Sequence, residues 1–278
     1  MTTSDFPYLN FTFDNFNPIQ EKCINYYNQD CNLVVSATMA SGKTTIAEMV
    51  LSFEIAEKGS KCVYVSPLCE LTEEIKNKWC RYPLFSNNID KLNFYTVEGL
   101  DVAIRKKYID NIDCLIFDEA QIIDNDGRGA NAEVLIMKIA QSMNCRIIIL
   151  SGTMSNATEI AKWLKSLNNK KTFVISSNWR PVEIIKNKII YTDDNDKFNK
   201  LLDILQDSIY EKIVIFVYSK NVGKELKKKL LNNGYFSEFI SSDLHKNKIR
   251  KIIRTFQNNN SGLDILISTS VIGQGVNL

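Results

Sequence analysis

The chain has 278 residues, 45% of them hydrophobic, enough to bury a large core and more readily two domains than one. Its 34 basic and 32 acidic residues leave a net charge of +2, so a nucleic-acid partner is permitted only if basic groups gather locally. Seven cysteines without a CxxC pair and one histidine, His245, argue against a disulfide framework and a zinc site. No secretory leader or membrane-length apolar run is read, so no membrane is expected and the setting is expected to be reducing and intracellular.

In chain order, the first strong signal is the apolar run Asn32–Ala37, followed by Ala37-Thr38-Met39-Ala40-Ser41-Gly42-Lys43-Thr44 and a helical pattern through Ile46, Ala47, Val50 and Leu51. Strand, loop and helix in this order are the context of a phosphate-binding loop, whereas a Gly-Lys-Thr surface turn needs neither flank. Small residues let backbone N–H groups close around a polyphosphate, and the following helix adds its positive dipole end. Lys43 is the candidate for the β- and γ-phosphates and Thr44 for Mg²⁺. Thr38, Ala40, Ser41, Gly42 and Thr45 complete the nucleotide cradle.

Strands are expected at Cys62–Val65, Asn93–Thr96 and Cys114–Phe117, the last followed by Asp118-Glu119. Adjacent carboxylates beside a phosphate loop divide their work: Asp118 holds Mg²⁺, and Glu119 orients and deprotonates the attacking water. Further strands are expected at Arg146–Leu150 and Phe173–Ser176, with helices such as Ile160–Leu167 between them. The pattern restarts near Asn187, which puts a boundary at about residue 185 and gives domains 1–185 and 186–278. Trp179 and Arg180 are expected at the joint and away from the ATP cleft.

The second series reads Lys188–Tyr191, Ile213–Val217, Phe236–Ile240 and Ile265–Ser268, with helices at Phe198–Leu205 and Val222–Leu231. Alternation of this kind implies an α/β fold with parallel sheets and crossover helices. The lysines of Lys224–Leu230 lie opposite Leu226, Leu230 and Leu231, which is the pattern of an amphipathic helix with a solvated face.

The ordered set of motifs resembles superfamily 2 helicases of the DExH type. Ala37–Thr44 and Asp118-Glu119-Ala120-Gln121 are similar to the Walker A and acidic boxes, and Asn17-Pro18-Ile19-Gln20 resembles the Q motif, in which Gln20 reads adenine. Ser66-Pro67-Leu68 resembles motif Ia and Thr96-Val97-Glu98-Gly99 motif Ib. Ser151-Gly152-Thr153 resembles the coupling motif III, Val217–Lys220 motif IV, and Thr269–Leu278 motif V, with Gly275 on its nucleotide side. Arg128-Gly129, Ser155-Asn156 with Trp163-Leu164, and Trp179-Arg180-Pro181-Val182 are similar to the Ski-like branch.

The resemblance implies two tandem RecA-like domains, the second incomplete, using ATP and Mg²⁺ to move 3′ to 5′ on single-stranded or partly duplex DNA or RNA. It makes Lys43, Asp118, Glu119 and Gln121 catalytic, and Ser66, Pro67, Thr96, Ser219 and Thr269 strand contacts. Ser151 and Thr153 become coupling residues. Three departures stand out: Gln121 replaces a histidine, Cys69 replaces a basic residue, and Ser241–Leu244 replaces a histidine-containing motif. The match stops at Leu278, inside or just after motif V, so motif VI with its arginine fingers is expected to be missing from these residues. An arginine finger contributes about 10³–10⁵ in rate, so ATP binding is expected to exceed hydrolysis. Two other readings stay open: a non-catalytic nucleotide- and strand-binding fragment, and a helicase-like subunit of a defence complex. The motifs identify no protein partner.

Overall fold

The computed structural model describes residues 3–9, 11–124, 127–207 and 212–269. Chain contacts divide it into two compact units, Met1–Ile184 and Ile185–Leu278.

The first unit runs α1 (Pro18–Ile24), β1 (Asn32–Ala37), α2 (Lys43–Lys58), β2 (Cys62–Val65), α3 (Cys69–Trp79), α4 (Pro83–Ser86) and β3 (Leu92–Tyr95). It continues α5 (Val97–Arg105), β4 (Cys114–Phe117), a 3₁₀ turn at Ala120–Asp124, α6 (Gly129–Ser142), β5 (Arg146–Ser151), α7 (Ala157–Asn168) and β6 (Thr172–Ser177). The six strands form one parallel sheet in the order β3-β2-β4-β5-β1-β6. Parallel strands need crossover helices, and these cover both faces, so β1, β2, β4 and β5 are buried throughout. That burial explains their continuous apolar runs. Leu33 and Val35 point to a core shared with α1 to α4, while Val34 points to the core built by α5, α6 and α7.

One buried charge pins the far end of this sheet. Arg146 opens β5 fully buried, donates to Glu54 of α2 at 3.0 Å, and donates to the carbonyls of Tyr26, Tyr27 and Cys31 at 2.7–2.9 Å. The guanidinium is thereby satisfied, as a buried charge must be. It also ties the chain between α1 and β1 to the centre of the sheet.

The second unit contains α8 (Asp194–Asp207), β7 (Ile213–Phe216), α9 (Lys220–Asn232), β8 (Ser237–Ile240), α10 (Lys246–Gln257) and β9 (Ile265–Ser268). Its three strands are parallel in the order β7-β9-β8. Ile252, Ile253 and Phe256 of α10 pack on one face of the sheet, and Leu205 of α8 and Leu230 of α9 pack on the other. Gly223 lets α9 approach closely, because a Cβ there would lie 2.2 Å from the Phe239 ring.

The strand expected at Lys188–Tyr191 does not form. Residues 183–191 are irregular and exposed, and Ile190 is 75% accessible. Apolar alternation makes a strand only where a partner edge accepts its hydrogen bonds, and among the described residues this segment pairs with none. Beside it, among the described residues, β7 pairs with β9 on one side only, and Phe216 is 58% and Tyr218 85% exposed. Ile189, Phe198, Ile204 and Phe216 line a cleft of about 390 Å³ along this edge.

Candidate nucleotide site

Three neighbouring strands, β4, β5 and β1, end side by side, and the carboxyl ends of a parallel sheet are where such folds place ligands. The loop after β1 carries Thr38 to Lys43, the turn after β4 carries Asp118 and Glu119, and β5 ends in Ser151 between them. Strand order alone therefore brings together groups more than a hundred residues apart.

The loop after β1 turns through left-handed backbone at Ala40 (φ 58°) and Gly42 (φ 78°) before α2 begins at Lys43. Glycine is required at 42 on two counts: its φ, and a Cβ that would lie 2.3 Å from Gln20 Nε2. Lys43 is buried, and its ammonium donates to the carbonyls of Ala37 at 3.2 Å and Thr38 at 3.0 Å. Two of three donors are thus spent on the loop itself. Burial lowers the Lys43 pKa, opposed by the charges of Glu119 and Asp118. Ser41 Oγ is buried with no hydrogen-bond partner. A buried cation and an orphan hydroxyl inside a loop of left-handed backbone fit a polyphosphate that would satisfy both.

Asp118 follows β4 and is buried. Its carboxylate accepts from Tyr64 Oη at 2.6 Å and from the Glu119 backbone N–H at 2.8 Å. Burial first, and the Glu119 charge second, raise its pKa to about 6, against the two hydrogen bonds and the Lys43 charge, which lower it. An anion pushed toward protonation by its surroundings is suited to a divalent cation, and Thr44 in the first turn of α2 offers a hydroxyl of the oxygen type that Mg²⁺ takes. Glu119 itself sits at φ 53°, left-handed backbone in a residue other than glycine. Strain of this kind persists only where surrounding structure enforces it.

The Glu119 backbone is held by its N–H, which donates to Asp118 Oδ1, and by its carbonyl, which accepts from the Ile122 N–H, while Gln121 holds the Glu119 side chain. Gln121 Nε2 donates to Glu119 Oε2, while its Oε1 accepts from Ser151 Oγ at 2.9 Å and from the Gly152 N–H at 3.1 Å. The glutamine that departs from the family pattern therefore bridges the carboxylate to the end of β5. Thr153, the other expected coupling residue, is exposed.

Gln20 lies against the phosphate loop. Only 3% exposed, it closes a capping box with Asn17, accepting from the Asn17 N–H at 3.0 Å, and its Nε2 donates to the Gly42 carbonyl at 3.3 Å. The amide thereby braces the phosphate loop, with one of its two N–H donors and one of its two acceptor sites engaged by protein. Asn17, of the same motif, donates to the Ser41 carbonyl at 2.9 Å. Trp179 departs from expectation: its carbonyl accepts from Thr38 Oγ1 at 2.5 Å, so this segment reaches the phosphate loop. Thr45, at the start of α2, is buried.

Among the expected strand contacts, Ser66 is fully buried and its hydroxyl is shut off from solvent. In this conformation that hydroxyl makes no hydrogen bond. The neighbouring Pro67 is partly exposed, and its carbonyl accepts from Arg128, which also pairs with Glu98 at 2.7 Å. Thr96 and Ser219 each cap a helix, accepting from the Gly99 and Val222 N–H groups at 3.1 and 3.3 Å. Thr269 is partly exposed just beyond β9, and Gly275 lies outside the described residues. Tyr64 is the contributor that motif spacing leaves unassigned, because it acts through Asp118, a neighbour distant in sequence.

Two family models account for most of the chain: the DEAD/DEAH box helicase model matches residues 17–160, and the helicase conserved C-terminal domain model matches residues 196–278. The ATP-dependent DNA helicase Hel308 of Methanococcus vannielii is 29% identical over 273 residues, covering 82% of this chain and 35% of that protein. Hel308 of Pyrococcus abyssi is 31% identical over 202 residues, covering 64% and 27%. The human U5 small nuclear ribonucleoprotein 200 kDa helicase is 29% identical over 203 residues, covering 62% and 9%. The chain thus spans at most 35% of the length of these relatives. The structure of S. cerevisiae Dbp5 bound to RNA and ADP BeF3 superposes with a TM-score of 0.69 at 16% identity, covering 95% of this chain and 72% of that one. That likeness agrees with the parallel α/β units described above: the fold is that of two tandem RecA-like domains. The chain belongs to the DEAD/DEAH box helicases.

Proposed function

We propose that this chain is the two-domain core of an ATP-driven helicase or translocase that moves 3′ to 5′ on single-stranded or partly duplex nucleic acid. The observation that carries this reading is the line of hydrogen bonds from Glu119 through Gln121 to Ser151 and Gly152. It joins the candidate base to the end of β5, so any movement there reaches the residue that activates water.

Lys43 would exchange the carbonyls of Ala37 and Thr38 for phosphate oxygens. Glu119, aimed by Gln121, would take the proton of the water that attacks the γ-phosphorus. When bound, Mg²⁺ would be held by Thr44 and Asp118 and would neutralise charge on the phosphates. Pro67 and Thr96 of the first unit, and Ser219 and Thr269 of the second, are the proposed contacts to the strand backbone. The hydroxyls of Thr96 and Ser219 accept from helix N–H groups, which leaves each O–H free to donate to a phosphate oxygen. Contacts of this kind fix position without reading sequence.

The test is ATPase activity with single-stranded DNA and with RNA, beside nucleotide titrations of two variants. Lys43→Ala is expected to lose nucleotide binding and keep its fold. Glu119→Gln is expected to bind ATP normally and lose at least about a hundredfold in turnover, the scale of a general base. Unchanged affinity in Lys43→Ala would remove the nucleotide site. ATP binding without turnover on either strand would make the chain a binding module instead.

A further inference from the structure

Tyr64 belongs to none of the motifs above, yet its side chain is almost fully buried and its hydroxyl donates to Asp118 Oδ2 at 2.6 Å. The parallel register sets this up. Tyr64 of β2 pairs with Ile116 of β4, so Asp118, two residues beyond Ile116, projects to the same face of the sheet as Tyr64. The second carboxylate oxygen, Oδ1, accepts from the Glu119 N–H. One donor on each oxygen fixes the plane of the carboxyl group as well as its position.

The tyrosine is itself held. Its ring meets Trp79 edge-on at 5.1 Å and Phe94 at 6.1 Å. Trp79 is fully buried, and its indole N–H donates to Glu48 Oε1 at 2.6 Å. Glu48 lies on α2, one turn beyond Thr44. The support of the Asp118 carboxylate therefore returns to the helix that carries the other proposed Mg²⁺ oxygen, Thr44.

We propose that Tyr64 is a positioning residue: it orients the Asp118 carboxylate toward the cation that accompanies ATP. The proposal rests on the reading of Asp118 as a Mg²⁺ holder. Its plain alternative is a core tyrosine that satisfies its hydroxyl on the nearest acceptor. Groups that hydrogen-bond to metal-holding side chains typically contribute about 10–100-fold in metal affinity, whereas a packing role has no preference between metal-bound and metal-free nucleotide.

The measurement is the ratio of affinities for a fluorescent ATP analogue with Mg²⁺ and with EDTA, together with thermal unfolding, in five proteins. These are the wild type, Tyr64→Phe, Tyr64→Met, Phe94→Leu and Asp118→Asn. Tyr64→Phe keeps the ring against Trp79 and removes only the donor, so the affinity in EDTA is expected to be unchanged and the Mg²⁺ ratio to fall about tenfold. Tyr64→Met carries the same expectation if the phenylalanine variant does not fold. Phe94→Leu loosens the same packing without touching the hydroxyl and is expected to keep the ratio. A wild-type ratio in the Tyr64 variants, or an equal fall in Phe94→Leu, overturns the proposal. If Asp118→Asn also keeps the ratio, the reading of Asp118 as a cation holder falls with it. If Asp118→Asn loses the ratio and Tyr64→Phe does not, only the role of Tyr64 falls.

Discussion

Gln121 shows how a single side chain changes the meaning of a departure from pattern. An amide carries an acceptor and a donor on one rigid plane, and here the donor serves Glu119 while the acceptor serves Ser151 and Gly152. A neutral histidine also offers one donor and one acceptor, on opposite sides of a ring, so the same bridge is available with different geometry. Gln121→Ala should leave nucleotide affinity near wild type, because the amide touches neither the loop nor Lys43. Each net hydrogen bond contributes about 1 kcal/mol, or roughly fivefold in rate, so strand-stimulated ATPase should fall at least about fivefold, and more than the basal rate. The check is turnover measured with and without single-stranded nucleic acid. An equal fall in both would mean that Gln121 only orients Glu119 and carries no coupling.

Among the elements, the short turn Ala120–Asp124 depends on a close approach to α6. A Cβ added at Gly129 would lie 2.1 Å from the Ile123 carbonyl oxygen, a backbone atom that moves only with the whole turn. Gly129→Ala should cost about 1–3 kcal/mol of stability, the range for overpacking. Because the turn carries Gln121, it should lower ATPase activity as well. Thermal unfolding and turnover on the same preparation test both parts, and full activity in a destabilised variant would detach the turn from the site.

The same scale shows what was legible beforehand. The strands of the first unit announce themselves because sheets covered on both faces need continuous apolar runs, and the phosphate loop because its small residues sit between such a strand and a helix. Lys188–Tyr191 has strand composition but no edge to join, a fact that lies outside its own four residues. The Tyr64 to Asp118 hydrogen bond was illegible for a related reason, since strand order and not spacing puts β2 beside β4. Gln20 shows the limit of a motif, which names a residue without saying where its amide points.

Across the whole molecule, apolar surface is distributed unevenly between the two units. The sheet of the first unit is closed over by helices, and its edge strands β3 and β6 are only partly exposed. In the second unit, among the described residues, β7 has an unpaired side along a cleft lined by Ile189, Phe216 and Tyr218, all exposed. Natural sheets usually guard such a side with lysine, proline or a bulge, and none of these stands within Ile213–Phe216. The colloidal behaviour of the chain should therefore be governed by this apolar edge and not by its near-zero net charge. Light scattering should show concentration-dependent self-association that rises with salt, as it does for apolar contacts. Phe216→Lys with Tyr218→Lys should suppress it while leaving nucleotide affinity, a property of the first unit, untouched. Association that persists in the double variant, or that salt dissolves, would trace instead to charge pairing elsewhere on the surface.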